Sequence, residues 1–447
     1  MTAPLLQSLA GIVGAAHCLG GADRAPYVVD GRTPCAVVLP GSADEVARVV
    51  RAAAEASVPV VPWGGGTQMS RGTPPQDGAL VIGLRRLDRV LEHEPGDLTA
   101  TVEAGITLVE LQRALGTRGQ WLPLDPPSPG EATLGGVLAA NASGPRRHGY
   151  GTARDLVIGM RVVAADGQLV RGGGKVVKNV AGYDLVKLYI GSAGTLGIVV
   201  DATLKLRPRP QAEGACWAAF PALDGAAGAA ASLAASELGP AALTLVDTKA
   251  AEACAPRAGL PAPAGPAVLV AFDGLAHTVA WQRDEASRRL RAAGARAVEA
   301  LDGEGTGRAL EAVREMRRLV ASPVAIATAG VLPADVGAYM AAAGTTVRAA
   351  GLDLAAVAQA GQGLVTLVVG PGETPRPVAA TTQALAECRA AARGRGGHLV
   401  VDWAPLAVRE ACPVWDPPGP AVALMRGLKA QLDPRGVLNP GRFVGGI

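Results

Sequence analysis

A β-branched run, VPVVPW at 58–63, leads straight into Gly64, Gly65 and Gly66, with Thr67 and Gln68 behind them. Glycine weakens regular structure and is kept where the backbone needs a positive φ or a close approach. Three in a row at a strand end mean that the chain turns there, or that something comes too near for side chains. One triplet alone reads as a tight turn. Three more glycine-rich stretches follow: PLDPPSPGEATLGGVLAANASGPRRHGYG at 123–151, RGGGKVVKNVAGYDLVKL at 171–188 and GSAGTLGIV at 191–199. Four such stretches in one region are hard to account for as turns only. Successive backbone N–H groups in such turns form concave anion sites, so a diphosphate fits against Gly64, Gly65, Gly66 and Thr67.

Two common phosphate motifs do not fit. A Walker loop needs GxxxxGK followed by Ser or Thr; GGGK at 172–175 is followed by Val176. The dinucleotide fingerprint GxGxxG is missing after the first strand, and GSAGTLG gives GxxGxxG instead.

Around these loops the chain alternates strands and helices. Leu5, Leu6, Leu9, Ile12 and Val13 share one helical stripe stopped by Gly14, which predicts a surface-packed helix rather than a signal peptide, since the first basic residue is Arg24. CAVVLP (35–40), a helix over 44–56 and the strand 58–63 form a βαβ unit whose strand end carries the triplet, where ligands commonly dock. Strands are predicted at 79–84, 99–105 and 157–170, the last with a hairpin at Asp166-Gly167, and a helix at 106–119. After 207–214 the glycine motifs stop and Ala-rich strands and helices alternate to 403, predicting an α+β domain with an antiparallel sheet. The uncharged run 354–372 reads as helix, loop and strand, because Gln359, Gln362 and Pro371 exclude a membrane span. Residues 424–443 read as a helix ended by DPRG and then NPG.

Composition narrows the function classes. Forty-two basic and 39 acidic residues leave a net charge of +3, too little for non-specific nucleic-acid binding. Six cysteines at 18, 35, 216, 254, 388 and 412 are too dispersed for a zinc site or a cysteine-ligated cluster, and read as buried thiols in a reducing compartment. Five histidines, at 17, 93, 148, 277 and 398, form no pair at ligand spacing; His398 and Asp402 can share one face of a strand. No metal site is predicted.

PWGGGT, PPSPGEATLGGVLAANASGPRRHGYG, GKVVKNVAGYDLVKLYIGSAGTLGIV and the closing DPRGVLNPGRF together resemble the FAD-linked oxidases of the vanillyl-alcohol-oxidase, or PCMH-type, superfamily. Within it, KNVAGYD (178–184) and LKAQLDPRGVLNPGR are most similar to the E subunit of the bacterial glycolate oxidase group. The resemblance covers residues 34–210 and 424–443; 211–403 is alike only in layout. It implies an α+β, two-domain PCMH-type FAD-binding fold: an FAD-binding domain over 1–210, an α+β cap over 211–403, and a segment over 404–447 that returns to the FAD-binding domain.

The family's motifs carry over position by position. Pro62, Trp63, Gly64, Gly65, Gly66, Thr67 and Gln68 match the pyrophosphate loop. Pro127, Thr133, Leu134, Gly135 and Gly136 match the segment beside the flavin. Asn141, Ser143, Gly144, Tyr150 and Gly151 match the loop that continues along the cofactor. Gly197 and Ile198 match the adenine-side contact, and Asn439 lies in the terminal motif. No cysteine or histidine stands in 62–68, and His148 is not at the usual attachment position, so the resemblance implies non-covalent FAD.

Two departures bear on activity. Ala193 stands where the catalytic subunits usually have Glu, and the cap lacks their HPxGDGNxH pattern. The chain is therefore expected to work beside a metal-bearing flavoprotein subunit and an iron–sulfur subunit, oxidising glycolate or another small 2-hydroxyacid. A stand-alone FAD-dependent 2-hydroxyacid dehydrogenase and a non-catalytic flavin-binding scaffold are the alternatives. The expected location is the cytoplasm, or the inner membrane's surface through partners. Lys175, Lys178, Tyr183 and Asp184 are candidates near the flavin or on a solvated helix face; Arg146, Arg147 and Arg442 are candidates for phosphate contact or for docking. No residue stands out as the general base for the hydroxyl proton.

Overall fold

The structure is a computed structural model that describes residues 3–175, 182–261, 263, 265–372 and 377–447. It divides into two compact units: Met1–Ser143 with Gly151–Arg209 and Pro417–Ile447, and Gly144–Tyr150 with Pro210–Asp416.

Among the described residues the first unit holds three sheets, the smallest pairing Gln120–Trp121 with Arg207–Pro208. One runs in the order Cys18–Leu19, Ala36–Val38, Leu80–Gly83, Val60–Trp63, its last three strands parallel. The helix Ala43–Glu55 is the crossover that parallel pairing requires. Ser42 caps it, Oγ accepting from Glu45 N at 3.2 Å. Its Val46, Val49, Val50 and Ala53 are buried with Leu5, Leu9 and Val13 of the helix Ala3–Val13, whereas Leu6 is exposed. The second sheet is antiparallel, in the order Val90–Glu94, Thr99–Glu103, Ile198–Lys205, Val157–Val163, Leu169–Gly173. The hairpin at Asp166-Gly167 forms as predicted, with Gly167 at φ +78°. Leu108–Gly116 is a helix opened by a capping box between Thr107 and Glu110.

The tail completes the first sheet. Val60 N donates to Val437 O (2.7 Å) and Asn439 N to Val60 O (2.8 Å), so 437–439 lies along the strand that ends in the triplet. The preceding helix is Val422–Leu432.

The second unit is built on eight antiparallel strands in the order Ala297–Asp302, Ala212–Ala219, Ala267–Gly274, Ala242–Val246, Asp353–Gln359, Leu364–Gly370, Ala325–Gly330, His398–Trp403. Alternate residues serve two cores. Cys216, Ala218, Leu243 and Leu245 face one, with helices Leu223–Ala234, Ala276–Ala292, Val336–Ala349 and Pro377–Arg393. Ala215, Trp217, Ala242 and Val246 face the other, with helices Thr248–Ala258 and Gly303–Arg314. The double burial corrects the sequence reading at 354–359. That stretch is a strand, not a helix: Leu354, Ala356 and Ala358 enter one core while Ala355 and Val357 enter the other. A strand buried on both faces shows no polar alternation to mark its period.

Candidate functional site

Trp63 ends its strand with its ring edge-on to Tyr27, centroids 5.1 Å apart, and its carbonyl accepts from Leu84 N at 2.9 Å. The three glycines that follow are required by the chain itself. A Cβ on Gly64 would overlap Thr133 Oγ1, and one on Gly65 would overlap the Glu131 carbonyl oxygen. Gly66 has φ +77° and lies 3.0 Å from the Trp63 ring at its Cβ position. The close approach read from the sequence is thus, on one side, an approach of the loop to residues 131–133. On the other side the loop keeps its donors open: among the described residues no protein acceptor is paired with the N–H groups of Gly64, Gly65, Gly66, Thr67 or Gln68. Gly64–Gly66 are half-buried and Thr67 is exposed. Five successive donors without a protein acceptor, in a glycine turn, are the kind of backbone that binds anions.

The segment beside this loop has the opposite character, because its donors are used. Leu134 N donates to Ile106 O (2.9 Å) and Gly135 N to Ala104 O (2.7 Å), while Gly136 N reaches Thr133 Oγ1 at 3.3 Å. A Cβ on Gly135 would come to 2.7 Å from Ala104 Cβ. Thr133 caps the helix Leu134–Ala140. These residues brace the triplet against the second sheet and offer no free helix N-terminus. Upstream, Pro127 precedes Ser128, whose φ is +57° and whose carbonyl accepts from Glu131 and Ala132 (2.9 and 2.8 Å).

Two asparagines of the first unit lie beside the GSAGTLG loop. Asn141 ends the helix at φ +49°, and Gly191 has its Cβ position 3.5 Å from Asn141 Cβ. Asn439, at φ +47°, donates Nδ2 to Ala193 O at 2.7 Å. The Oδ1 atoms of both are buried and lack a partner. Ala193, at φ +53°, donates to Ala139 O (2.8 Å), and the Gly194 Cβ position lies 3.2 Å from Pro62. Residues 62–68, 131–141, 191–195 and 437–439 therefore meet in one place. Gly197 allows Val162 and Tyr189 to close in, and Ile198 starts a buried strand opposite Val163.

Two residues that the sequence reading passed over hold this meeting point. Lys429 Nζ donates to Asp433 Oδ2 (2.6 Å), Thr195 O (2.7 Å) and Leu438 O (2.8 Å). Asp433 accepts from Val437 N (2.9 Å) and Leu438 N (2.8 Å). The Lys429 side chain is 12% exposed and that of Asp433 0%, so neither charge is solvated. Desolvation lowers the Lys429 pKa, opposed by Asp433. A lysine and an aspartate four apart, spanning a helix end, was the signal that could have found them.

Residues 144–150, which include Gly144 and Tyr150, lie in the second unit. Arg146 is not offered to a phosphate. It is buried, pairing with Asp273 and Glu213 at 2.7 Å each, and Tyr150 Oη donates to Asp273 at 2.6 Å. His148 Nδ1 lies 3.4 Å from Gln362 Nε2, and burial lowers its pKa. Gly151, at φ +80°, and the half-buried Ser143 belong to the first unit. Arg442 is a docking residue, donating to the carbonyls of Met69, Arg71 and Thr73. Lys175 pairs with Glu92. Asp184 caps Leu185–Tyr189 and pairs with Lys187, and Tyr183 is exposed. Lys178 lies outside the described residues. Asp402 pairs with Arg317 (2.7 Å) and accepts from Thr328 (2.6 Å), and His398 is not among its partners. Among the described residues no three of His, Cys, Asp or Glu form a metal-ligating group, and no helix is long and apolar enough to cross a membrane.

Residues 34–173 match the FAD binding domain family, and residues 209–400 and 416–443 match the C-terminal domain of FAD linked oxidases. Glycolate oxidase subunit GlcD of Bacillus subtilis is 33% identical over 421 residues, which are 92% of this chain and 89% of that one. D-2-hydroxyglutarate dehydrogenase of Xanthomonas citri is 42% identical over 43% of this chain and 40% of its own. The cytochrome-linked mitochondrial D-lactate dehydrogenase of Arabidopsis thaliana is 39% identical over 43% of this chain and 34% of its own. These last two alignments span less than half of those relatives. Substrate-bound p-cresol methylhydroxylase has the same fold, with a TM-score of 0.78 at 18% identity over 98% of this chain and 96% of that one. The chain belongs to the FAD-linked oxidases and is an FAD-dependent oxidoreductase of PCMH-type fold, related to glycolate oxidase subunit GlcD and to the D-lactate and D-2-hydroxyglutarate dehydrogenases.

Proposed function

We propose that this chain is the FAD-carrying, E-type subunit of a glycolate oxidase-like complex, and that it passes electrons from a small 2-hydroxyacid through a non-covalently held FAD. The observation that carries the reading is the row of unspent N–H donors at Gly64, Gly65, Gly66, Thr67 and Gln68. A loop braced by 131–136, with no protein acceptor for its amides, is suited to an anionic ligand that accepts from them. Bound FAD would supply the two-electron acceptor. Pro62 and Trp63 would set the loop's entry, and the five amides would hold the diphosphate. Asn141 and Asn439 would each accept from the cofactor through an orphaned Oδ1. Thr133, Leu134, Gly135 and Gly136 would act by bracing that loop. Pro127, Ser143, Gly151, Gly197 and Ile198 would line the cofactor through backbone atoms, with Gly144 and Tyr150 on the segment following Ser143.

Non-covalent binding is supported by the loop itself, which has no His or Cys between 62 and 68. Partnership with a metal-bearing flavoprotein subunit and an iron–sulfur subunit is supported by the relation to a glycolate oxidase subunit and by Ala193 in the GSAGTLG loop. The complex would work in the cytoplasm or on the inner membrane's surface.

A second reading, a stand-alone 2-hydroxyacid dehydrogenase, draws support from the D-lactate and D-2-hydroxyglutarate dehydrogenase relatives. Purification from the native host tests both. The first reading expects a yellow chain that releases FAD on denaturation and co-purifies with an iron–sulfur chromophore. Anaerobic bleaching of the isolated chain by glycolate or D-lactate would select the second. A folded, colourless chain that does not take up added FAD would end both.

A further inference from the structure

Lys429 and Asp433 hold the two backbone groups of one residue, Leu438, between them. Asp433 accepts the N–H of Val437 and of Leu438, and Lys429 donates to the carbonyl of Leu438. The ammonium has three protons, and its three acceptors are Asp433 Oδ2, Leu438 O and Thr195 O. One cation thereby joins the 191–195 loop to the tail. The next residue is Asn439. Its N–H is fixed on Val60 O and its Nδ2 on Ala193 O, and its backbone is left-handed. Its Oδ1, by contrast, is buried with no donor. A buried ion pair is a poor source of stability by itself, since an apolar pair of similar volume often does as well. Its distinctive result is a direction for one acceptor.

We propose that Lys429 and Asp433 are positioning residues that aim Asn439 Oδ1 at a hydrogen-bond donor of bound FAD. The inference rests on the reading of Asn439 as a cofactor contact. The pair does not touch the cofactor and acts through the tail peptide 437–439.

A double-mutant cycle on the full chain, stripped of flavin and titrated with FAD, tests this. Asn439→Ala is expected to weaken FAD binding about tenfold and to shift the visible flavin band. Lys429→Gln, which keeps two donors but loses the charge, is expected to give a loss of similar size and the same band shift. Combining the two should weaken binding no further than the larger single loss. Lys429→Met is the stronger variant, and Lys429→Gln carries the test should Lys429→Met not fold. Losses that multiply would overturn the proposal. So would a Lys429→Gln protein that melts earlier without FAD yet binds FAD, with an unshifted band, like the parent. If Asn439→Ala alone leaves binding and spectrum unchanged, the cofactor reading of Asn439 fails, and the positioning role falls with it.

Discussion

The second unit is a sheet whose strands pair edge to edge and whose two faces are sealed by helices; the first leaves a loop of amides unspent beside its parallel sheet. Backbone strain divides the same way. Among the described residues eight non-glycines have positive φ: Asp30, Ser57, Leu98, Ser128, Asn141, Ala193, Asn439 and Ser322, and only Ser322 belongs to the second unit. Such conformations cost about 1 kcal/mol or more each and persist where the surroundings enforce them. Three of them, at Asn141, Ala193 and Asn439, lie where the glycine-rich segments meet. The contrast separates two uses of a core: one unit spends its packing on regularity, the other on holding irregular backbone still.

The sharpest way to break this contrast is at Gly65. A methyl group there has no room beside the Glu131 carbonyl, so Gly65→Ala should cost roughly 3 kcal/mol or more and abolish FAD retention. Gly130→Ala, in open space on the neighbouring segment, should stay within about 0.5 kcal/mol. Thermal unfolding and bound-flavin absorbance measure both. Equal effects would mean that the triplet is an ordinary turn.

Next in size is an exception inside the regular unit. Asp247 caps the helix Thr248–Ala258, accepting from Ala250 N at 2.8 Å, but burial pushes its carboxyl up to about 6. The folded-state value lies above the unfolded one, so the folded chain binds the extra proton. Stability should therefore fall as pH rises from about 4 to about 6. Asp247→Asn keeps a good cap without the buried charge. It should gain roughly 1–3 kcal/mol at pH 7 and flatten that slope, as read by urea unfolding at pH 4, 5 and 7. A loss at pH 7 would show that the charge itself is needed.

The smallest effects concern helix starts. Thr133 caps its helix with a side chain, whereas Ala222, before Leu223–Ala234, is extended and has no cap hydrogen bond. Thr133→Ala should lose about 1 kcal/mol, and Ala222→Ser should gain about 0.5 kcal/mol. Calorimetry of the two variants checks the opposite signs.

What could be read from the sequence follows the same division. The glycine stretches announced their loops because a glycine run at a strand end serves a turn or a close approach and little else, and the amphipathic helix 44–56 showed a clear period. In 211–403, alanine fills both faces of strands and helices alike, so Asp353–Gln359 looked helical. Polar residues were harder still. Arg146 next to Arg147 suggested a phosphate contact, but Asp273 and Glu213, far away in sequence, claim it. That Gly64 and Gly65 are tight against 131–133 was equally hidden. For Gly65 the partner is a backbone atom, and backbone leaves no mark in composition.

The pairing of Val60 with Val437 and Asn439 bears on the order of assembly during synthesis. The strand leading into the triplet leaves the ribosome long before the peptide that flanks it. The strands between emerge first, but the tail side of Val60 is covered only once residues 437–439 have emerged. A chain stalled before residue 437 would therefore lack the backbone hydrogen bonds that Val437 and Asn439 make with Val60.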